Sequence, residues 1–121
     1  MEANDIQIGG DHYKADYQHW DWVDDIGLHY YLAAATKYIS RWQKKNGIQD
    51  LRKALHFITK SVEKDILTRT NSKDVTLTKK FAKQLDSFSA ECVYLIIDGY
   101  YERASNIISN KISELEFKEQ Q

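Results

Sequence analysis

The sequence predicts an all-α protein, and three observations carry that prediction. Pro is absent and Gly numbers 5 in 121 residues, so the turn chemistry of a β-fold is scarce and little interrupts a helix. Apolar residues recur at helical spacing in Leu51, Leu55, Ile58, Val62 and Ile66, and again in Ala104, Ile107, Ile108, Ile112 and Leu115. Between these stripes, residues 92–97 are apolar on nearly every side, the pattern of a helix buried all round.

Composition narrows the classes further. The chain is 42% hydrophobic, 12% aromatic and 29% charged, which is globular, and its length suits one compact domain with an appendage. A formal charge of -1 argues against extended DNA or RNA binding, which draws its affinity from broad phosphate neutralisation, so any anion site must be local. The single Cys92 makes no intrachain disulfide, no signal peptide is read at the start, and no apolar run approaches the ~20 residues of a membrane span. These features predict a protein of a reducing cytosol that does not enter a membrane.

In chain order, residues 6–8 alternate apolar and polar as a short extended piece, and Gly9-Gly10 permits a tight bend immediately before His12 and Tyr13. The bend either lets backbone amides approach a phosphate or simply turns the chain. The Gly-Lys-Ser/Thr ending of a Walker loop is absent. Tyr17, Trp20, Trp22 and Val23 suggest a short amphipathic helix ended by Gly27. Its Asp21, Asp24 and Asp25 read as a solvated face, with a hard cation such as Mg²⁺ as the alternative. His19 and His29 read as interior or rim residues rather than ligands.

A helical hairpin follows, over about 28–45 and 50–69, and it is the expected core of the protein. On its first helix Lys37, Arg41, Lys44 and Lys45 share one arc while Tyr31, Ala35, Ile39 and Trp42 share another. Asn46-Gly47 stops this helix and Asp50 stands where an N-cap belongs. On the second helix Lys53, His56 and Lys60 lie beside the apolar stripe, so two polar faces turned the same way would offer an anion a pocket. Tyr38 and Trp42 flank Arg41, and rings beside a guanidinium suit a base with its phosphate. The plain alternative is a solvated basic helix face.

The polar stretch 70–75 marks a boundary, giving units of 1–69 and 70–121. In the second, Thr76 or Thr78 can cap a helix through Leu77, Phe81 and Leu85. The helices of 87–98 and 100–117 follow, with a break near Gly99. Their apolar faces predict a homo-oligomer, a dimer or higher, joined through this C-terminal extension. Cys92 reads as core rather than nucleophile, and no zinc spacing or Ser-His-Asp pattern is present.

The pairing of IGGDHY with AxKYIxRWxxKNGxxDLxKAxHFI resembles a family of small tailed-bacteriophage proteins of unknown function, one branch of which is described as a phage nucleotide kinase acting on deoxynucleoside monophosphates. The resemblance covers about residues 6–66. It implies a nucleotide ligand in a host cytoplasm, bound by Gly9, Gly10, Tyr13, Lys37, Tyr38, Arg41, Lys44 and Lys53, with His12 and His56 as catalytic candidates and no protein metal ligands. A phosphotransferase would add Mg²⁺. The alternatives are sequestration of a host immune signalling nucleotide without turnover, or inhibition of a host protein by the helical surface.

Overall fold

Three glycines with positive φ, at 27, 47 and 99, divide the chain at helix ends. The computed structural model describes residues 16–121, and among these it contains six α-helices and no strand. They are α1 (His19–Ile26), α2 (Tyr30–Arg41), α3 (Ile48–Glu63), α4 (Ser72–Ala82), α5 (Ser87–Ile97) and α6 (Tyr101–Glu119), with a 3-10 turn, Trp42–Lys44, between α2 and α3. The expected all-α class is the observed one. The N-terminal Gly-Gly segment, with Gly9, Gly10, His12 and Tyr13, lies outside the described residues.

The hairpin of α2 and α3 forms as expected, but its turn is built differently. Asp50 is not the N-cap of α3: Gly47 is, at φ 55 and ψ -124, and Asp50 sits inside the first turn, wholly buried. From there its Oδ2 accepts the backbone N–H of Asn46 at 3.2 Å, which ties the turn to the helix it precedes. The buried face of α3 also differs from the predicted stripe. It runs through Leu51, Ala54, Ile58 and Ser61, whereas Val62 is 54% exposed. Small Ala54 and Ser61 fit where a larger chain would hold neighbouring helices apart, and Ser61 turns its hydroxyl back to the Phe57 carbonyl at 2.8 Å.

The stretch read as a boundary starts a helix. Asn71 caps α4 in a capping box: its side chain accepts from the Asp74 N–H at 2.8 Å, and Asp74 Oδ2 accepts from the Asn71 N–H. Thr76 and Thr78 are therefore interior to α4, and Thr78 is buried. In α1 the ring that faces inward is Trp22, fully buried, stacked on Phe81 at 4.6 Å and donating its indole N–H to Thr78 Oγ1 at 3.1 Å. Trp20 is 53% exposed.

One hydrophobic core runs through α1–α3, α5 and α6, with Phe81 of α4. Cys92, Val93, Ile96, Ala104 and Ile108 are fully buried within it, alongside Leu32, Ile39, Leu51 and Ile58 of the hairpin. Helix α6 packs along α3, and α5 against α2. Much of the apolar surface from which an oligomer was expected thus packs inside one chain, with Leu95, Ile107 and Leu115 partly buried. Cys92 is a core thiol, pushed up to about 12 by burial, with Glu91 and Asp86 adding to the shift.

Candidate functional site

Helix α2 carries Lys37, Tyr38 and Arg41 within little more than one turn, and the antiparallel α3 brings Lys53 opposite them. Arg41 lies with its guanidinium carbon 4.7 Å from the centre of the Tyr38 ring, Lys53 Nζ at 5.3 Å and Lys37 Nζ at 5.7 Å. Three cations from two helices thus meet on one aromatic ring. Each such contact is worth about 0.5–1 kcal/mol at an exposed site, while gathering like charges costs energy that an anion among them would remove.

Arg41 is held from behind. Its Nε comes within 3.3 Å of Asp50 Oδ2 without an aligned N–H, and Nη2 donates to Asp50 Oδ1 at 3.4 Å. The carboxylate is wholly buried, so it compensates Arg41 from the inside and leaves the outer edge of the guanidinium toward solvent. Among the described residues Lys37 and Lys53 have no carboxylate within ion-pair distance. Among the described residues the patch therefore keeps positive charge that no carboxylate pairs.

The floor of the patch is aromatic. Tyr38 stacks on Phe57 at 6.0 Å and 16°. Around Phe57 stand Tyr30 at 6.0 Å and 87°, Tyr31 at 6.5 Å and His56 at 6.4 Å. His29 caps α2 by accepting the Tyr31 N–H on Nδ1 at 3.1 Å, and its ring touches Tyr31 at 5.0 Å. A strip of rings therefore extends from the cations toward the N-terminus of α2.

Of the expected site residues, Lys37, Tyr38, Arg41 and Lys53 come together, and His56 is exposed at the edge of the same ring cluster. Lys44 is exposed on the 3-10 turn and makes no cation–π contact with Tyr38 among the described residues. Trp42 does not flank Arg41. It is buried on the far side, its indole N–H donating to Ser89 Oγ at 3.0 Å and its ring against Phe88. Sequence reasoning missed Phe57, whose apolar character reads as core, and the role of Asp50; the HF and DL pairs within the quoted motif were the available signal.

Two other features lie apart from this patch. A groove of about 420 Å³ is lined by Trp42, Gln43, Gly47, Ile48, Leu115, Lys118 and Glu119, none of which carries the cation cluster. Of the acids of α1, Asp25 accepts the Tyr17 hydroxyl at 2.6 Å, and the described residues contain no group of three or more His, Cys, Asp or Glu suited to a metal ion. That carboxylate and burial, burial first, push the Tyr17 hydroxyl above its ordinary range.

Residues 9–59, fewer than half of the chain, match a family described as a protein of unknown function, DUF3310. No curated protein and no solved structure matches the chain. The matched span contains the whole cation–aromatic cluster, from Tyr30 to Phe57. No helix among the described residues is long and apolar enough to cross a membrane.

Proposed function

We propose that this protein binds a nucleotide by its phosphate at the Tyr38 face of the α2–α3 hairpin. The observation that carries the reading is the meeting of Lys37, Arg41 and Lys53 on one ring, where among the described residues only the buried Asp50 balances them. Lys offers point charges and Arg a directed fork, the pair of recognition modes a phosphate uses. The resemblance to the phage nucleotide kinase branch supports a nucleotide over a simple anion, and a phage-encoded protein acting in the host cytoplasm. It also supports phosphoryl transfer to a deoxynucleoside monophosphate, for which charge neutralisation and positioning are most of the work. A divalent cation in such a reaction would enter with the phosphates of the nucleotide. Sequestration of a signalling nucleotide uses the same patch without a second substrate.

Calorimetric titration with nucleoside mono- and diphosphates tests the binding. Lys37→Ala and Lys53→Ala should each lower affinity by about 10- to 100-fold, the loss of one charge-assisted hydrogen bond, without changing the melting temperature. Affinity unchanged in both variants would remove the site. Incubation with ATP, Mg²⁺ and each deoxynucleoside monophosphate then separates the two uses: a diphosphate product identifies a kinase, and intact ligand identifies a sequestering protein.

A further inference from the structure

Tyr38 has no face left for the base of a bound nucleotide: three cationic heads lie on its ring and Phe57 stacks against it. The next ring along the strip is Tyr30. It is 68% exposed, yet held upright by edge contacts to Phe57 at 6.0 Å and to Tyr31 at 5.7 Å. A large ring that is rigidly placed and open to water gains little from folding alone and offers a stacking surface at small entropic cost.

Its position on the helix relates it to the cations. Lys37 is seven residues after Tyr30 and Arg41 eleven, so all three fall on one stripe of α2. Between Tyr30 and Lys37 the same stripe holds Ala34, whose side chain ends at Cβ. The rise from Tyr30 to Lys37 is about 10 Å, a length that a base, a sugar and a phosphate can span.

We infer that Tyr30 is the base-stacking subsite of the nucleotide site, with the sugar over Ala34 and the phosphate at Lys37 and Lys53, so that base and phosphate are recognised by separate residues. The inference rests on the nucleotide reading above. It names the ligand class as a nucleoside 5′-phosphate and makes the base contact tolerant of base identity, because stacking uses only the ring face.

The test compares the four common ribonucleoside 5′-monophosphates with ribose 5-phosphate, which has no base, by calorimetry. The intact protein should bind at least one monophosphate about 5- to 150-fold more tightly than ribose 5-phosphate. Tyr30→Ala should abolish that difference while leaving ribose 5-phosphate binding unchanged, and Tyr30→Phe should keep it. Tyr30 is exposed in the first turn of α2 and Ala favours helix, so the variant should fold, which far-UV circular dichroism checks. Tyr30→Ala with undiminished monophosphate affinity overturns the subsite but leaves the phosphate site standing. Failure of the intact protein to bind either probe overturns both.

Discussion

His19 is held neutral beside the candidate site. Its Nε2 lies 2.8 Å from Thr36 Oγ1, whose hydroxyl proton goes to the Leu32 and Ala33 carbonyls at 2.9 and 3.1 Å, so Nε2–H must donate and Nδ1 carries no proton. Burial between Trp22 and Phe81, and secondarily the charge of Lys37, lower its pKa from 6.5 to about 4. Above pH 6.5 both folded and unfolded chains hold the ring neutral, and it contributes nothing to the pH dependence. As pH falls from 6.5 toward 4 the unfolded chain takes up a proton that the folded one refuses, so stability is lost across that window, by about 3 kcal/mol at full effect. Urea unfolding at pH 7.5 and 4.5 should show a smaller acid loss in His19→Gln than in the parent; equal losses would mean His19 titrates freely. Residue type alone could not reveal this, since an imidazole beside Trp in sequence is equally at home on a rim. Lys37, Tyr38, Arg41 and Lys53 were legible because cations at helical spacing leave a stripe. Phe57 and Asp50 were not, because an apolar residue reads as core and an Asp after Asn-Gly reads as a cap.

At the scale of the element, helix ends decide the site. Gly47 at φ 55, ψ -124 occupies backbone space that a side chain with a Cβ rarely enters, and it aims the Asn46 N–H at Asp50. Gly47→Ala should cost about 1–3 kcal/mol and, by shifting Asp50, should loosen Arg41 and weaken the proposed nucleotide binding as well. Asn71→Ala is the matched control: losing the capping box should cost about 1 kcal/mol with binding unchanged, because α4 contributes nothing to the cation cluster. Thermal melts paired with titrations distinguish the two, and equal binding in both variants would detach the turn from the site. The breaks at glycines 27 and 99 were readable because few other residues end helices this way, whereas Gly47, expected to stop α2, opens α3 after α2 has already ended at Arg41. The start of α4 was hidden, since Asn71 and Asp74 look like loop residues until their reciprocal hydrogen bonds are seen. Trp20 and Trp22 show the same limit in α1, where too few apolar positions precede Gly27 to phase the helix.

Across the whole molecule, the polar contacts of the first half reach into the second. Gln84 clamps the backbone of Tyr17, accepting its N–H at 3.0 Å and donating to its carbonyl at 2.8 Å. Trp22 donates to Thr78, Trp42 donates to Ser89, and the Tyr101 hydroxyl donates to the Ile66 carbonyl at 2.6 Å. By contrast, the surface pair Arg52–Glu116 at 2.8 Å joins exposed side chains of α3 and α6 and should add at most about 1 kcal/mol. The apolar contacts carry more: Ile108 is fully buried in the core shared with the hairpin, and Ile108→Ala should cost about 2–5 kcal/mol. The periodicity of residues 104–115 showed that this helix must bury a face, but periodicity does not say against what, and a partner subunit and the chain's own α3 satisfy it equally. The two cases differ in one measurement. A fragment of residues 1–69 would leave Leu51, Ala54 and Ile58 without α6, and two indole N–H donors without their hydroxyl acceptors, so it should show no cooperative thermal transition by far-UV circular dichroism. The full chain carrying Ile108→Asp and Ile112→Asp should likewise unfold rather than dissociate. A cooperative melt of the 1–69 fragment would instead make the first unit a domain in its own right, and would return the apolar faces of α5 and α6 to the task of joining subunits.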